Sequence, residues 1–178
     1  IVGRFIGVDA LAAVGSSTSI TFLILGFCNG CCSGFAIPVA QSFGAGDYSS
    51  MRSYVSNAIR LSVVIAVIFT IVAATLCTPI LHMVQTPADV FGDAYIFLFI
   101  TVLSIPFIIA YNLLSSFMRS LGNSRIPFYF LILSSLINII LDFILIIEMK
   151  IGVEGAALAT MFSQALAAYW CYVYIKKN

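Results

Sequence analysis

The sequence predicts an all-helical integral membrane protein, a bundle of about five complete transmembrane helices plus the end of an earlier one. Of its 178 residues, 62% are hydrophobic and only 8% are charged, whereas soluble domains carry about 25% charged residues. The charges separate long apolar stretches, each close to the ~20 residues that a helix needs to cross a bilayer. A soluble core of this size cannot bury that much apolar surface, so the chain belongs to the class of polytopic membrane proteins.

The predicted elements follow from the uncharged stretches. Residues 10–46 contain no charged side chain and predict the end of a loop, one long helix and its exit. The other four spans are predicted at residues 61–81, 94–118, 126–147 and 155–175. Residues 1–7 have the character of the tail of an earlier helix.

Glycines, small residues and prolines add detail to these helices. In the first span, Gly26, Gly30 and Gly34 recur every fourth residue, a spacing that lets helices pack closely in lipid. A similar stripe in the last span comprises Gly155, Ala159, Ser163 and Ala167. Pro106 predicts a kink in the third span, and Pro38 or the glycines predict a bend in the first.

The basic residues indicate the orientation in the membrane. Six of the eight fall on one predicted side: Arg52, Arg60, Arg119, Arg125, Lys176 and Lys177. The other side holds only Arg4 and Lys150. Because cytoplasmic loops are enriched in Lys and Arg, we expect the loops at residues 44–53 and 119–125 to be cytoplasmic.

Asp142 is the strongest candidate for a functional residue. It is the only charged side chain between residues 125 and 148, and an ionised carboxylate costs at least ~2.5 kcal/mol at the bilayer centre. Such residues usually face a bundle interior or a wet cavity and mark routes for ions or protons. Asn138 lies one helical turn earlier on the same face, and Ser134 and Ser135 extend this polar stripe.

Other chemistries find no support in the sequence. It contains no Walker motif, no Ser/His/Asp set and no zinc pattern, so we expect no enzyme activity and no cofactor. The run from Gly44 to Gly46 predicts the end of a helix rather than a nucleotide loop. No basic stripe is interleaved with aromatic residues, which excludes nucleic acid as a partner. Cys28 and Cys31 lack a histidine or a second cysteine pair, so they are interpreted as small apolar helix residues.

Short motifs occur in a characteristic order along the chain. They lie at residues 2–4, 11–15, 40–48, 86–87, 119–122, 127, 138–142 and 152–160. The ordered set resembles the multidrug and toxic compound extrusion (MATE) family. The match covers essentially the whole chain and corresponds to the amino-terminal half of such a transporter. The Asn-x-x-x-Asp pattern ending at Asp142 is most similar to the DinF-like branch.

The resemblance implies twelve helices in two lobes around a central cavity, and export of cationic, lipophilic compounds in exchange for Na⁺ or H⁺. It implies that Asn138, Asp142 and Thr160 belong to a cation or proton site. The acidic residue of the family's first helix would fall before Ile1. We therefore expect residues 1–178 to be one partial amino-terminal lobe, with the first helix mostly missing and the second lobe of the same polypeptide absent. The expected location is the lipid bilayer of a bacterial cytoplasmic membrane.

The residues themselves leave alternatives open. Hard cations prefer oxygen ligands, which Asn138, Asp142 and Thr160 offer, and a buried carboxylate can equally hold a proton. Asp142 could instead be a structural hydrogen-bond acceptor, and Thr160 could bond to its own helix backbone. The alternative function is a flippase for lipid-linked oligosaccharides of the same superfamily. Such proteins tend to need basic residues in the cavity, and the predicted spans contain none.

Overall fold

A computed structural model describes residues 8–149 and 151–177, so the predicted helix tail at residues 1–7 lies outside the described part. The described residues form helices joined by short turns and include no β-strand. The helices are α1 (Val8–Gly44), α2 (Tyr48–Met83), α3 (Phe91–Leu103), α4 (Ile105–Ser120), α5 (Arg125–Asp142) and α6 (Val153–Lys177). A 3₁₀ turn, Ala88–Val90, precedes α3, and a π-helix, Phe143–Glu148, continues α5.

Two predicted boundaries on the early helices are wrong. Because α1 already begins at Val8, the expected loop end after residue 10 does not exist. Because α2 begins at Tyr48, Arg52 and Arg60 lie on a helix rather than in a connecting loop. The additional helical residues, 8–10 and 48–60, include charged side chains but no glycine or proline, so the charge pattern alone does not reveal these helix starts.

Length and apolar composition identify fewer membrane spans than predicted. Three described helices qualify: Ile20–Gly44, Tyr48–Met83 and Arg125–Glu148. A fourth is obtained if Ala88–Leu103 and Ile105–Ser120 form one bent crossing. The predicted span at residues 155–175 forms α6, which has 25 residues but is not among these spans. Polar and tyrosine side chains lower its mean hydropathy, but its 25 residues exceed the ~20 that a crossing needs, and the all-helical membrane bundle is as predicted.

The predicted kink at Pro106 is confirmed. Helices α3 and α4 meet at Ser104 with a bend of 41°. Proline has no backbone N–H, so the carbonyl of Val102 loses its usual helical donor at Pro106. The Ser104 hydroxyl donates to the Thr101 carbonyl at 2.6 Å and satisfies another acceptor at the break. Helix α1, in contrast, continues through Pro38 without interruption. The structure therefore shows no helix break at this proline, where a bend was predicted.

The core is built around one face of α1, which packs against α2, α3 and α4. Cys28 and Cys32 on this face are 0% and 1% exposed, and the Cys32 thiol donates to the Ile109 carbonyl on α4 at 3.6 Å. Cys28 therefore serves as a small core residue, as the sequence predicts, and Cys32 has the same role, whereas Cys31 is only partly buried.

The predicted close packing of the first glycine stripe is wrong within the described structure. Gly26, Gly30 and Gly34 are exposed, and a Cβ added to any of them would meet nothing within 4 Å. The buried face of α1 carries Cys28 and Cys32 instead, and the glycines point away from it.

The second stripe, on α6, packs as predicted. A Cβ on Gly155 would lie 3.1 Å from the Leu145 Cβ, closer than ordinary van der Waals contact. Ala159, Ser163 and Ala167 are also buried. This stripe lets α6 approach α5 and its π-helical extension closely.

The turn between α1 and α2 forms as the glycines predict. Gly46 has φ +73°, a left-handed conformation that glycine adopts without steric cost. The backbone N–H of Asp47 donates to the Ser42 carbonyl at 3.0 Å, and the Ser50 N–H donates to the Asp47 carboxylate at 3.0 Å. Gly46 thus ends α1, and Asp47 caps α2.

Candidate functional site

The candidate site lies where α5 and α6 pack side by side, and a buried hydrogen bond aligns the two helices. The Ser134 hydroxyl donates to the Ser163 carbonyl at 2.9 Å, and these residues are 5% and 2% exposed. In an apolar setting a hydroxyl without a partner is costly, so this contact favours one relative position of the helices. Ser134, predicted to extend the polar stripe, therefore faces α6.

One turn further along α5, Asn138 reaches Thr160 on α6. The Asn138 side-chain amide donates to the Thr160 hydroxyl oxygen at 3.4 Å. The Thr160 hydroxyl donates in turn to the carbonyl of Ala156 at 3.0 Å. Thr160 thus bonds its own helix backbone, one of the two roles open to it from sequence, and also holds Asn138. With its amide nitrogen directed at Thr160, Asn138 retains its amide oxygen as a possible ligand for a cation.

Asp142 lies one further turn along α5, about 6 Å along the helix axis from Asn138. The side chain is partly buried, and its Oδ1 atom is buried without a hydrogen-bond partner among the described residues. A buried carboxylate oxygen without a partner is unfavourable. A proton or a small cation on this oxygen would remove that cost.

The backbone changes form directly after Asp142. Residues Phe143–Glu148 form a π-helix, and the Met149 N–H donates to the Ile144 carbonyl at 3.0 Å, five residues earlier. Short π-helical segments are frequent at functional sites. Sequence reasoning missed this segment, because its apolar residues carry no signal that distinguishes a π-helix from an α-helix.

The structure therefore brings two of the three predicted site residues into contact. Asn138 and Thr160 share a hydrogen bond, whereas Asp142 makes no hydrogen bond through its buried oxygen within the described structure. Asn138 and Asp142 are partly buried and Thr160 is exposed, so the cluster opens onto one side of the α5–α6 pair. The arrangement offers one carboxylate and two neutral oxygens, which can bind a proton or a small cation.

Comparison with known proteins gives the family. The profile of the MatE family matches residues 1–144. The chain is 33% identical over 181 aligned positions to the "Probable multidrug resistance protein YoeA" of Bacillus subtilis, covering 99% of this chain and 39% of that protein. It is 28% identical to the "Multidrug export protein MepA" of Staphylococcus saprophyticus, covering 94% of this chain and 37% of that protein. The chain thus spans about two fifths of the length of these relatives.

Solved structures show the same fold. An outward-facing multidrug resistance MATE family transporter of the MOP superfamily superposes with a TM-score of 0.92 at 23% identity, covering 99% of this chain and 40% of that one. An inward-facing structure superposes with a TM-score of 0.89 at 23% identity, covering 93% of this chain and 38% of the other. The family profile and the shared fold confirm the resemblance found in the motifs: the chain belongs to the MatE family of membrane transporters and is not an enzyme.

Proposed function

We propose that this chain forms the amino-terminal lobe of a secondary-active antiporter that exports cationic or amphipathic organic compounds. Relatives of this chain are named as multidrug resistance and export proteins, and these names favour drug efflux over the flippase alternative. Because the chain spans about two fifths of those relatives, we propose that a second lobe of the same polypeptide completes the substrate cavity.

We further propose that Asp142 binds the coupling ion, either H⁺ or Na⁺, with Asn138 and Thr160 as neutral helpers. The observation that supports this role is the buried Oδ1 atom of Asp142, which has no hydrogen-bond partner in the described part of the chain. Hard cations prefer oxygen ligands; Asp142 would supply the charge, while Asn138 and Thr160 would supply neutral oxygens. A proton would need only the carboxylate.

Coupling then follows from charge balance. With the ion bound, the charge of Asp142 is neutralised by a proton or balanced by Na⁺, and the free-energy cost of burying the carboxylate falls. Without the ion, the carboxylate is charged and favours a conformation that hydrates it or pairs it with a cationic substrate. A ligand shifts a conformational equilibrium only by its differential affinity for the two states. Antiport therefore results when the ion and the substrate stabilise opposite conformations of a bundle that alternates between the two sides of the membrane.

We place the protein in a bacterial cytoplasmic membrane. Three or four of the described helical segments are long and apolar enough to cross a bilayer, and the relatives compared above come from Bacillus and Staphylococcus.

The test is efflux from vesicles reconstituted with the full-length polypeptide. An imposed H⁺ gradient without Na⁺, and a Na⁺ gradient at equal pH, distinguish the two ions. Asp142→Asn keeps the shape of the side chain but can neither release a proton nor balance a cation, so we expect it to fold and to lose gradient-driven efflux. Asp93→Asn, a matched change at an exposed carboxylate, should retain efflux. Wild-type efflux by Asp142→Asn under both gradients would show that Asp142 is structural.

A further inference from the structure

Two adjoining apolar cavities form a groove between α2, α4 and α6. Of these three helices, only α6 also contributes to the Asp142 cluster. The two cavities have volumes of about 330 Å³ and about 460 Å³. Both cavities are lined by Ile59 on α2, Leu114 on α4 and Tyr172 on α6. The two cavities are therefore neighbours that meet at these three residues.

The α2 wall of the groove begins at Met51, and its inner part, from Ser56 onward, has the length of the hydrocarbon layer of one lipid leaflet. Lining residues recur along one stripe of α2, from Ser56 through Ile59 and Val63 to Val67. At 1.5 Å per residue, Ser56 and Val67 lie about 16 Å apart along the axis. Half of the ~30 Å hydrocarbon core is about 15 Å. The far end of the groove is lined by Pro106, next to the bend between α3 and α4.

The near end of the groove is basic. Arg52 lines it and is exposed, and Ser56, also lining it, follows one turn deeper, about 6 Å along the helix. Lys176 on α6 directly follows Ile175, another lining residue. The nearby acidic Asp47 does not line the groove and accepts a hydrogen bond as the cap of α2. The groove therefore combines a cationic entrance with an apolar interior, which is complementary to an anionic amphiphile.

From this complementarity we propose that the groove binds an anionic phospholipid from the leaflet on the arginine-rich side. The phosphate lies at Arg52, the ester oxygens lie near the Ser56 hydroxyl, and one acyl chain follows the groove past Ile59 and Val63. A cationic drug is disfavoured at the Arg52 entrance, and free phosphate leaves the apolar groove unfilled. The bound lipid seals the seam between α2, α4 and α6 and contacts the bend at Pro106.

The experiment measures lipid binding by the delipidated full-length polypeptide in detergent. Phosphatidylglycerol or phosphatidylcholine is titrated, and bound lipids are counted by native mass spectrometry. We expect phosphatidylglycerol to bind more tightly. Arg52→Gln should lower its affinity about fivefold, the effect of one basic residue at a membrane surface, and should reduce the preference for phosphatidylglycerol by the same factor. Val63→Trp, which fills the groove from an exposed position (58% exposed), should weaken binding of both lipids.

Two control variants sharpen the result. Arg60→Gln removes the same charge from α2 outside the lining of these cavities, and it should leave the lipid preference intact. Ser62→Ala changes a groove hydroxyl that is 4% exposed and has no partner in the described structure. An acyl chain cannot hydrogen-bond to it, so binding should not change.

Three outcomes would overturn the proposal. Equal effects of Arg52→Gln and Arg60→Gln would show nonspecific attraction to surface charge. A loss of lipid in Ser62→Ala as large as in Arg52→Gln would indicate a ligand with a polar group deep in the groove. The third outcome comes from thermal unfolding of the same protein. If inorganic phosphate raises the unfolding midpoint as much as phosphatidylglycerol does, the apolar groove is not involved. Each variant is first checked for monodisperse elution and wild-type helicity, and Arg52→Gln and Arg60→Gln, both exposed, are expected to pass.

Discussion

The side-chain amide nitrogen of Asn138 lies 3.4 Å from the hydroxyl oxygen of Thr160, across the contact between α5 and α6. The two neutral members of the candidate site are therefore bonded to each other, and Thr160 is also bonded to Ala156 at 3.0 Å. The charged member, Asp142, keeps a buried oxygen without a partner among the described residues. We therefore expect Asp142 to contribute more to ion coupling than Asn138 and Thr160 do.

Substitution of Thr160 should weaken coupling less than Asp142→Asn does. Thr160→Val removes the hydrogen bond to Asn138 and one neutral oxygen, an interaction worth about 0.5–1.5 kcal/mol. The concentration of the coupling ion that gives half-maximal efflux should rise up to about tenfold, while maximal efflux persists. Thr160→Ser retains the hydroxyl and should behave like the wild type. Complete loss of efflux in Thr160→Val would assign Thr160 an essential role equal to that of Asp142.

Gly155→Ala should destabilise the α5–α6 contact. The added Cβ would lie 3.1 Å from the Leu145 Cβ and 3.4 Å from its backbone carbonyl carbon, and overpacking of this kind costs about 1–3 kcal/mol. The midpoint of thermal unfolding should fall. In Gly92→Ala the new Cβ meets nothing within 4 Å, so helix propensity should leave stability unchanged or raised by up to ~1 kcal/mol. An unchanged midpoint in Gly155→Ala would show that α6 can move away freely.

The Asp47 cap should contribute stability that depends on pH. Hydrogen bonds from the Ser50 side chain and backbone hold the pKa of the Asp47 carboxyl below its ordinary value. The ionised cap therefore stabilises the folded state fully above the unfolded pKa of about 4, and this contribution is lost as the pH falls through the lower folded pKa. Asp47→Ala should lower the unfolding midpoint at pH 7, and the difference from the wild type should shrink at acidic pH.

Asp47→Asn is the matched control for this prediction. An asparagine caps helices as well as aspartate does but does not titrate. Its unfolding midpoint should therefore match that of the wild type at pH 7 and stay above that of Asp47→Ala at acidic pH, where the wild type loses the contribution of its ionised cap. The unfolding midpoints of Asp47→Ala and the wild type are compared from pH 7 to below pH 3. A constant difference between the two midpoints would contradict the role assigned to the ionised carboxyl.

The arginine distribution predicts that the turns before α2 and before α5 are cytoplasmic. Ser49 is exposed in the first turn of α2, and Asn123 lies in the turn before α5. Single cysteines at Ser49 and Asn123, in a background without the native cysteines, should react with an impermeant reagent only after the membrane is opened. A cysteine at Met83, which is 86% exposed at the other end of α2, should react from outside. The reverse pattern would invert the proposed topology.

The cysteine at Asn123 needs one additional check. Asn123 donates to the Tyr174 hydroxyl at 3.3 Å and accepts from the Ile126 N–H at 3.3 Å. Loss of these contacts could loosen the turn, so Ser124→Cys, at an exposed neighbouring position, serves as the second probe of the same loop.

The sequence by itself determined the features that depend on local chemistry. The high content of hydrophobic residues and the low content of charged residues identify a membrane protein without knowledge of the fold. The missing N–H of Pro106 removes one helical hydrogen bond and favours the bend found there, and glycine ends a helix at Gly46 through backbone freedom alone. A carboxylate such as Asp142 is costly in any apolar span. Spacing also places Asn138 on its face of α5, because helical periodicity does not depend on neighbours.

Only the tertiary structure decided which helix faces meet. The stripe of Gly26 and the stripe of Gly155 have the same four-residue spacing, yet the first is exposed and the second contacts Leu145. The hydrogen bond from Asn138 to Thr160 and the groove at Arg52 likewise require helices far apart in sequence. Their relative rotation is a property of the packed bundle, in which each helix buries one face at the expense of another, and no local sequence pattern specifies it.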